Sequence, residues 1–185
     1  MKVRQISSNA AELVDQATKS LIEQGAGAIV LDLRDNAGGY LTQAVDIASL
    51  FVNSGVLVQI QGNDGPATTK SAAGDAPYRD VPLVVVVNRY TAAAAEVLAA
   101  SLQDNERADV VGETSMGKGS VQVYASWTSA GLCATPPPTT HAPGRAHRQR
   151  GYRAPGGGGK RRGEDGADSQ LATGIDIARS LIPAA

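Results

Sequence analysis

The chain has a single cysteine in 185 residues, aromatic side chains make up only 4%, and the formal charge at pH 7 is −1. Each shortage excludes something. Cys133 alone cannot close an intramolecular disulfide, so cysteine usage leaves the redox compartment open. With aromatics scarce, a core has to be packed from Val, Leu, Ile and Ala, and the length suffices for one domain that does so. Near-neutrality gives no global attraction to nucleic acid or to a membrane surface. No apolar run approaches the roughly 18 residues that cross a bilayer, which speaks against membrane insertion. The opening Met1-Lys2-Val3-Arg4-Gln5-Ile6-Ser7 is too polar and too short for a signal peptide. Either the protein is cytoplasmic or a targeting segment lies outside these residues.

Acidic residues are also missing locally. None occurs in 126–163, while seven of the seventeen basic residues fall in 145–162.

What is present alternates between two periods. Residues 2–7 read as a short strand, and Asn9-Ala10-Ala11-Glu12 matches a capping box opening a helix that Gly25 ends. The apolar run 28–33 reads as a buried strand, 41–51 as a helix, 56–60 as a strand and 63–80 as a polar loop. The β-branched run 83–87 is the strongest strand signal, 91–103 reads as an Ala-rich helix, and 109–111 and 121–124 as short strands. Strands alternating with helices imply an α/β fold of βαβ units on a mostly parallel sheet. The division expected is a core over 1–125, an irregular Pro/Gly/Arg-rich segment over 126–163, and a final helix of the core within 164–185, where Leu171, Ile175, Ala178, Leu181 and Ile182 form an apolar stripe.

Three segments then stand in register. Gly27-Ala28-Ile29-Val30-Leu31-Asp32-Leu33-Arg34-Asp35-Asn36-Ala37-Gly38-Gly39 is close to G-x-I-L-D-L-R-N-N-P-G-G. Val87-Asn88-Arg89-Tyr90-Thr91-Ala92-Ala93-Ala94-Ala95-Glu96 is close to V-N-x-x-S-A-S-A-S-E. Residues 102–122, with Gly112-Glu113-Thr114-Ser115-Met116-Gly117-Lys118-Gly119-Ser120-Val121-Gln122 at their end, are close to A-L-Q-D-x-x-R-A-x-V-V-G-E-x-T-F-G-K-G-x-V-Q. In matching order across 1–125 they resemble the C-terminal processing peptidases, or tail-specific proteases, which are hydrolases of the Ser/Lys-dyad type.

The resemblance implies a Clp-crotonase-like α/β core, here without room for the PDZ domain that often selects substrates in this family. It implies Lys118 as general base, Gln122 as the residue orienting it, and the loop Gly38-Gly39 with the amide of Ala94 as oxyanion hole. The family's nucleophilic serine lies 25 residues before the lysine, which falls on Ala93. A lysine acts as base only when neutral, so its pKa has to fall through burial away from other charge. Glycine in the oxyanion loop lets backbone N–H groups approach the developing charge. With alanine at 93 there is no hydroxyl to deprotonate and covalent catalysis loses its first step. The implied activity is serine-type endopeptidase, inactivated as written. Implied partners are unfolded protein or peptide C-termini, no cofactor and no metal are expected, and the implied compartment is periplasm or cell envelope.

Plainer readings stand beside these. Gly38-Gly39 can be an ordinary strand-to-helix turn, Asp32 and Arg34 a local ion pair, Glu96 and Asp104 cap or surface charges, and Gln122 a plain strand residue. His141 and His147 have no partner spacing. Thr91, Ser115 and Ser120 carry hydroxyls, yet none matches the nucleophile's place. Gly112 to Lys118 nearly matches a phosphate-binding loop but ends in Gly119, where Ser or Thr would hold magnesium. The basic run can be read as RNA-binding, although Tyr152 is its only aromatic. A non-catalytic peptide-binding scaffold, as a homo-oligomer subunit, is the alternative to an enzyme. Finally, read one base later, the codons for Pro143 to Pro155 can encode L-G-E-H-I-D-S-V-G-I-E-P, which resembles the family's strands after its glutamine. A shifted reading frame over about 129–162 is therefore expected, against a natural insert, and the coding DNA decides between them.

Overall fold

A computed structural model describes residues 1–61, 66–118, 124–127, 131–134, 139–141 and 168–183. The chain runs α1 (Ala10–Glu23), β1 (Ile29–Asp32), α2 (Leu41–Ser49), β2 (Val56–Gln61), β3 (Thr68–Ser71), β4 (Leu83–Val87), α3 (Ala94–Asp104), β5 (Asp109–Gly112), β6 (Tyr124–Trp127), β7 (Gly131–Ala134), β8 (Thr139–His141) and α4 (Ser169–Ser180). The expected α/β architecture with parallel pairing is observed: β1, β4 and β5 form a parallel sheet with β4 central, Ile29 opposite Leu83 and Val84 opposite Asp109.

β4 shows why an unbroken run of Leu and Val belongs at the centre. Successive side chains of a strand point to opposite faces, and both faces of β4 are covered. Leu83, Val85 and Val87 join Ile29, Leu31, Leu33, Val14, Ile47, Phe51 and Leu98 in the main core beneath α1, α2 and α3. Val84 and Val86 face the other way, with Val111 and Ala178 of α4.

α4 docks through small residues. The expected stripe is only partly inward: Ala178 is buried, whereas Ile175, Leu181 and Ile182 are exposed. Gly174 replaces them at the contact, where an added Cβ would meet Val86 Cγ2 at 3.0 Å. Small residues let the helix lie close to the sheet. Asp168 caps α4 by accepting from the Leu171 amide at 3.1 Å, and its carboxylate also meets Arg34 Nη1 at 2.6 Å. Arg34 in turn donates to Asp32 from Nε and Nη2, at 2.8 and 2.7 Å, so the local ion pair read from the sequence is present and extends to α4. Burial raises the Asp168 carboxyl pKa, but Arg34 and the Leu171 amide outweigh that and hold it below its ordinary value.

Other expectations are corrected. Asn9 makes no side-chain cap; the Ser7 hydroxyl takes its Oδ1 at 2.9 Å, and the Ala11 amide donates instead to Gln43 Oε1 of α2. Residues 2–7 form only two isolated bridges, Lys2 to Asp32 and Ile6 to Gly39. Gly25 does end α1, at φ 89°, with the Ala26 amide returning to Leu21 O. The polar loop contains β3, which pairs antiparallel with β2, and β8 pairs with the other edge of β2. The segment expected to be irregular thus contributes strands, β7 and β8 among them. β-Branched Thr139 and Thr140 suit a strand, and an open edge of β2 supplies the backbone partners. The strand expected over 121–124 lies mostly outside the described residues; β6 covers Tyr124–Trp127. Of the segment over 129–162 read as a shifted frame, only β7 and β8 are described, and the rest lies outside the described residues.

Candidate active site

Three loops leave the C-terminal ends of β1, β4 and β5 and meet at the start of α3. Their meeting point is Ala93. The helix expected from residue 91 begins at Ala94, because 91–93 make a turn in which Ala93 takes φ 51° and ψ −121°. An L-residue with a Cβ is strained there, by about 1–3 kcal/mol. Of Ala92, Ala93, Ala94 and Ala95, only Ala93 is not buried. The turn therefore presents one residue outward, at the N-terminus of a helix.

The strain is held by the neighbouring loops. The Ala92 amide donates to Asn36 O at 2.9 Å, the Ala93 amide to Glu96 Oε2 at 2.9 Å, and the Met116 amide to Thr91 O at 3.0 Å. Thr91, fully buried, donates its hydroxyl to Leu33 O and accepts from the Asn88 amide, which removes it as a nucleophile. The side chain of Asn88 accepts from the Asp35 amide and donates to Asp35 Oδ1, at 3.0 and 2.8 Å. That hydrogen bond, helped by Lys2 and Arg34 against burial, holds the Asp35 carboxyl below its ordinary pKa. If the turn is strained as described, Ala93→Gly stabilises the domain by about 1 kcal/mol, since relief of the Cβ outweighs the entropy that glycine adds to the unfolded chain. Urea unfolding checks this, and a loss of stability on substitution would show that the turn carries no strain.

The glycine loop lies directly against the turn. A Cβ at Gly38 would sit 2.8 Å from Ala92 O, 2.9 Å from Ala94 N and 3.0 Å from Ala93 Cβ. Of its two amides, that of Gly38 is committed, donating to Asn36 Oδ1 at 2.8 Å. Among the described residues the amides of Gly39 and Ala94 have no protein acceptor.

The third loop is tied on by one carboxylate. Glu96 Oε1 accepts from the Ser115 hydroxyl at 2.5 Å and the Gly117 amide at 2.6 Å, and Oε2 accepts from the amides of Lys118 and Ala93 at 2.9 Å each. The cap role read from the sequence is present, since Glu96 takes the Ala93 amide as the acidic half of a capping box, and the carboxylate extends it to three further donors on the loop after β5. The same contacts answer the phosphate-loop reading, because the amides that would cradle a phosphate already hold an internal anion. Lys118 makes no ion pair among the described residues, but it is exposed, so the burial expected around the base is not present. Gln122 lies outside them. Asp104, which matched a motif position, is at the far end of α3, roughly 16 Å along the axis from Ala93. Its buried Oδ2 has no hydrogen-bond partner, and burial pushes its pKa up. Among the described residues no group of His, Cys, Asp or Glu could hold a metal, and no helix is long and apolar enough to cross a membrane.

A strained strand-to-helix turn that presents a single residue beside unpaired amides is the geometry in which many hydrolases present a nucleophile. Comparison with known proteins gives the class. The profile of Peptidase family S41 matches residues 1–139, and the chain belongs to that family. It is 42% identical over 136 residues to a carboxyl-terminal-processing protease of Synechocystis, covering 73% of this chain and 32% of that protein. It is 35% identical over 123 residues to the carboxy-terminal processing protease CtpA of Bacillus subtilis, covering 66% and 26%. The chain thus spans about a third or less of the length of these relatives. Among solved structures, the photosystem II D1 C-terminal processing protease superposes with a TM-score of 0.76 at 33% identity, covering 84% of this chain and 41% of that one.

Proposed function

We propose that the chain is the proteolytic core of a serine peptidase that processes protein C-termini, with position 93 as the nucleophile's place, Lys118 as general base and Gln122 orienting it. As written, Ala93 leaves that core without covalent activity. The observation that carries the reading is the backbone of Ala93: its conformation is costly for alanine, and it falls on the one alanine of the turn that is not buried. Supporting it are the amides of Gly39 and Ala94, which have no acceptor among the described residues, and the anchoring of the Lys118 backbone to that of Ala93 through one carboxylate oxygen.

With serine at 93 the chemistry follows. Neutral Lys118 takes the hydroxyl proton as the oxygen bonds to the substrate carbonyl carbon, and the carbonyl oxygen gathers charge in front of the two amides. The intermediate collapses by breaking the C–N bond, and the leaving amine takes the proton back from the lysine. Water repeats the cycle on the acyl-enzyme. Unfolded polypeptide C-termini are the substrate class, in line with the names of the relatives.

Ala93 also favours a second reading, a scaffold that docks peptide without turnover. Hydrolysis of an unfolded protein separates the two. Ala93→Ser is expected to cleave it and the chain as it stands is not. Equal cleavage by both would overturn the assignment of position 93, and binding without cleavage by either would favour the scaffold.

A further inference from the structure

A carboxylate has about four acceptor positions, and in Glu96 all four are filled, by Ser115 Oγ and the amides of Gly117, Lys118 and Ala93. Two of these donors belong to the residues on either side of the proposed chemistry. The amides of Ala93 and Lys118 share a single oxygen, at 2.9 Å each. Glu96 sits in the first turn of α3, where the helix dipole favours an anion.

We propose that Glu96 is a positioning residue that fixes the base loop against the nucleophile turn, a role that rests on the peptidase reading of this site. It does so with an anion whose hydrogen bonds all go to the two loops rather than to the Lys118 ammonium. Here the acceptor positions are consumed by backbone N–H groups and a hydroxyl, and no ion pair joins Glu96 to Lys118 among the described residues. The charge is required for the task. Glutamine has the same shape but would turn its NH2 toward two of the four donors, so both contacts on that side are lost.

The test is Glu96→Gln, read in two ways. In the chain as it stands, hydrogen exchange at the amides of Gly117 and Lys118 is expected to accelerate by about tenfold or more, as loss of a charge-assisted hydrogen bond requires, while Leu98 and Leu102 deeper in α3 keep their protection. In a chain carrying Ala93→Ser, the same substitution is expected to lower kcat by roughly 100-fold with KM within twofold, the signature of misplaced groups rather than weakened binding. Unchanged exchange at Gly117 and Lys118 overturns the proposal, as does a uniform loss of protection across the domain, which would make Glu96 only a helix stabiliser. The exchange result stands even if Ala93→Ser proves inactive, so failure of the peptidase reading and failure of this one are distinguishable.

Discussion

In a chain carrying Ala93→Ser, Lys118→Ala is expected to reduce turnover by about 10²–10⁴-fold, the usual contribution of a positioned general base. The serine hydroxyl is a weak nucleophile unless its proton leaves as the bond to carbon forms, and the other polar side chains described at the turn are already hydrogen-bonded. Glu96 is saturated by hydrogen bonds, and the hydroxyls of Thr91 and Ser115 are committed to Leu33 O and Glu96. Lys118→Arg should be as inactive as Lys118→Ala, since a guanidinium stays protonated. Turnover of all three variants checks this, and a rate indifferent to residue 118 would mean that the lysine is not the base.

Gly39→Ala is expected to destabilise the domain by more than about 4 kcal/mol, enough to unfold many domains. A Cβ there would lie 2.0 Å from Ile6 O and 2.8 Å from Ile6 C, both backbone atoms that cannot rotate away. Relief requires breaking the bridge made by the Ile6 amide to Gly38 O and the Tyr40 amide to Ile6 O. The glycine loop beside Ala93 would move with it. Gly25→Ala is the control: its φ is 89°, yet nothing lies within 4 Å of the added Cβ. That variant is expected to lose only the backbone strain, about 1 kcal/mol. Urea titration of the pair decides the matter, and equal losses would show that the close approach of Ile6 is not what fixes Gly39.

Much of this architecture was legible because the signals were local. The run Leu83–Val87 announced a strand buried on both faces, and Gly25 announced a helix end. The motif register placed Gly38, Gly39, Ala93, Ala94 and Lys118 on three loops that do converge. What stayed hidden depended on partners distant in sequence. Asn9 lost its cap because Ser7 and Gln43 competed for the same groups. The inward face of α4 was read only in part: Ala178 faces the sheet as the stripe implied, but a close approach to Val86 selects Gly174 over the larger apolar residues. Helical periodicity ran through 91–93 without a break, since alanine gives no sign that the backbone reverses there. Only the cap contact of Glu96 was readable locally, because three of its four donors lie 19 to 22 residues away.

What reacts at position 93 decides whether this site is that of a serine peptidase. Chains carrying Ala93→Ser, with and without Lys118→Ala, should be treated with a serine-directed phosphonylating reagent and mapped by peptide mass spectrometry. The expected result is one adduct, on the peptide containing position 93, forming at least about 100-fold more slowly without the lysine. Equal labelling of both chains, or an adduct on Thr91 or Ser115 with position 93 untouched, would contradict it.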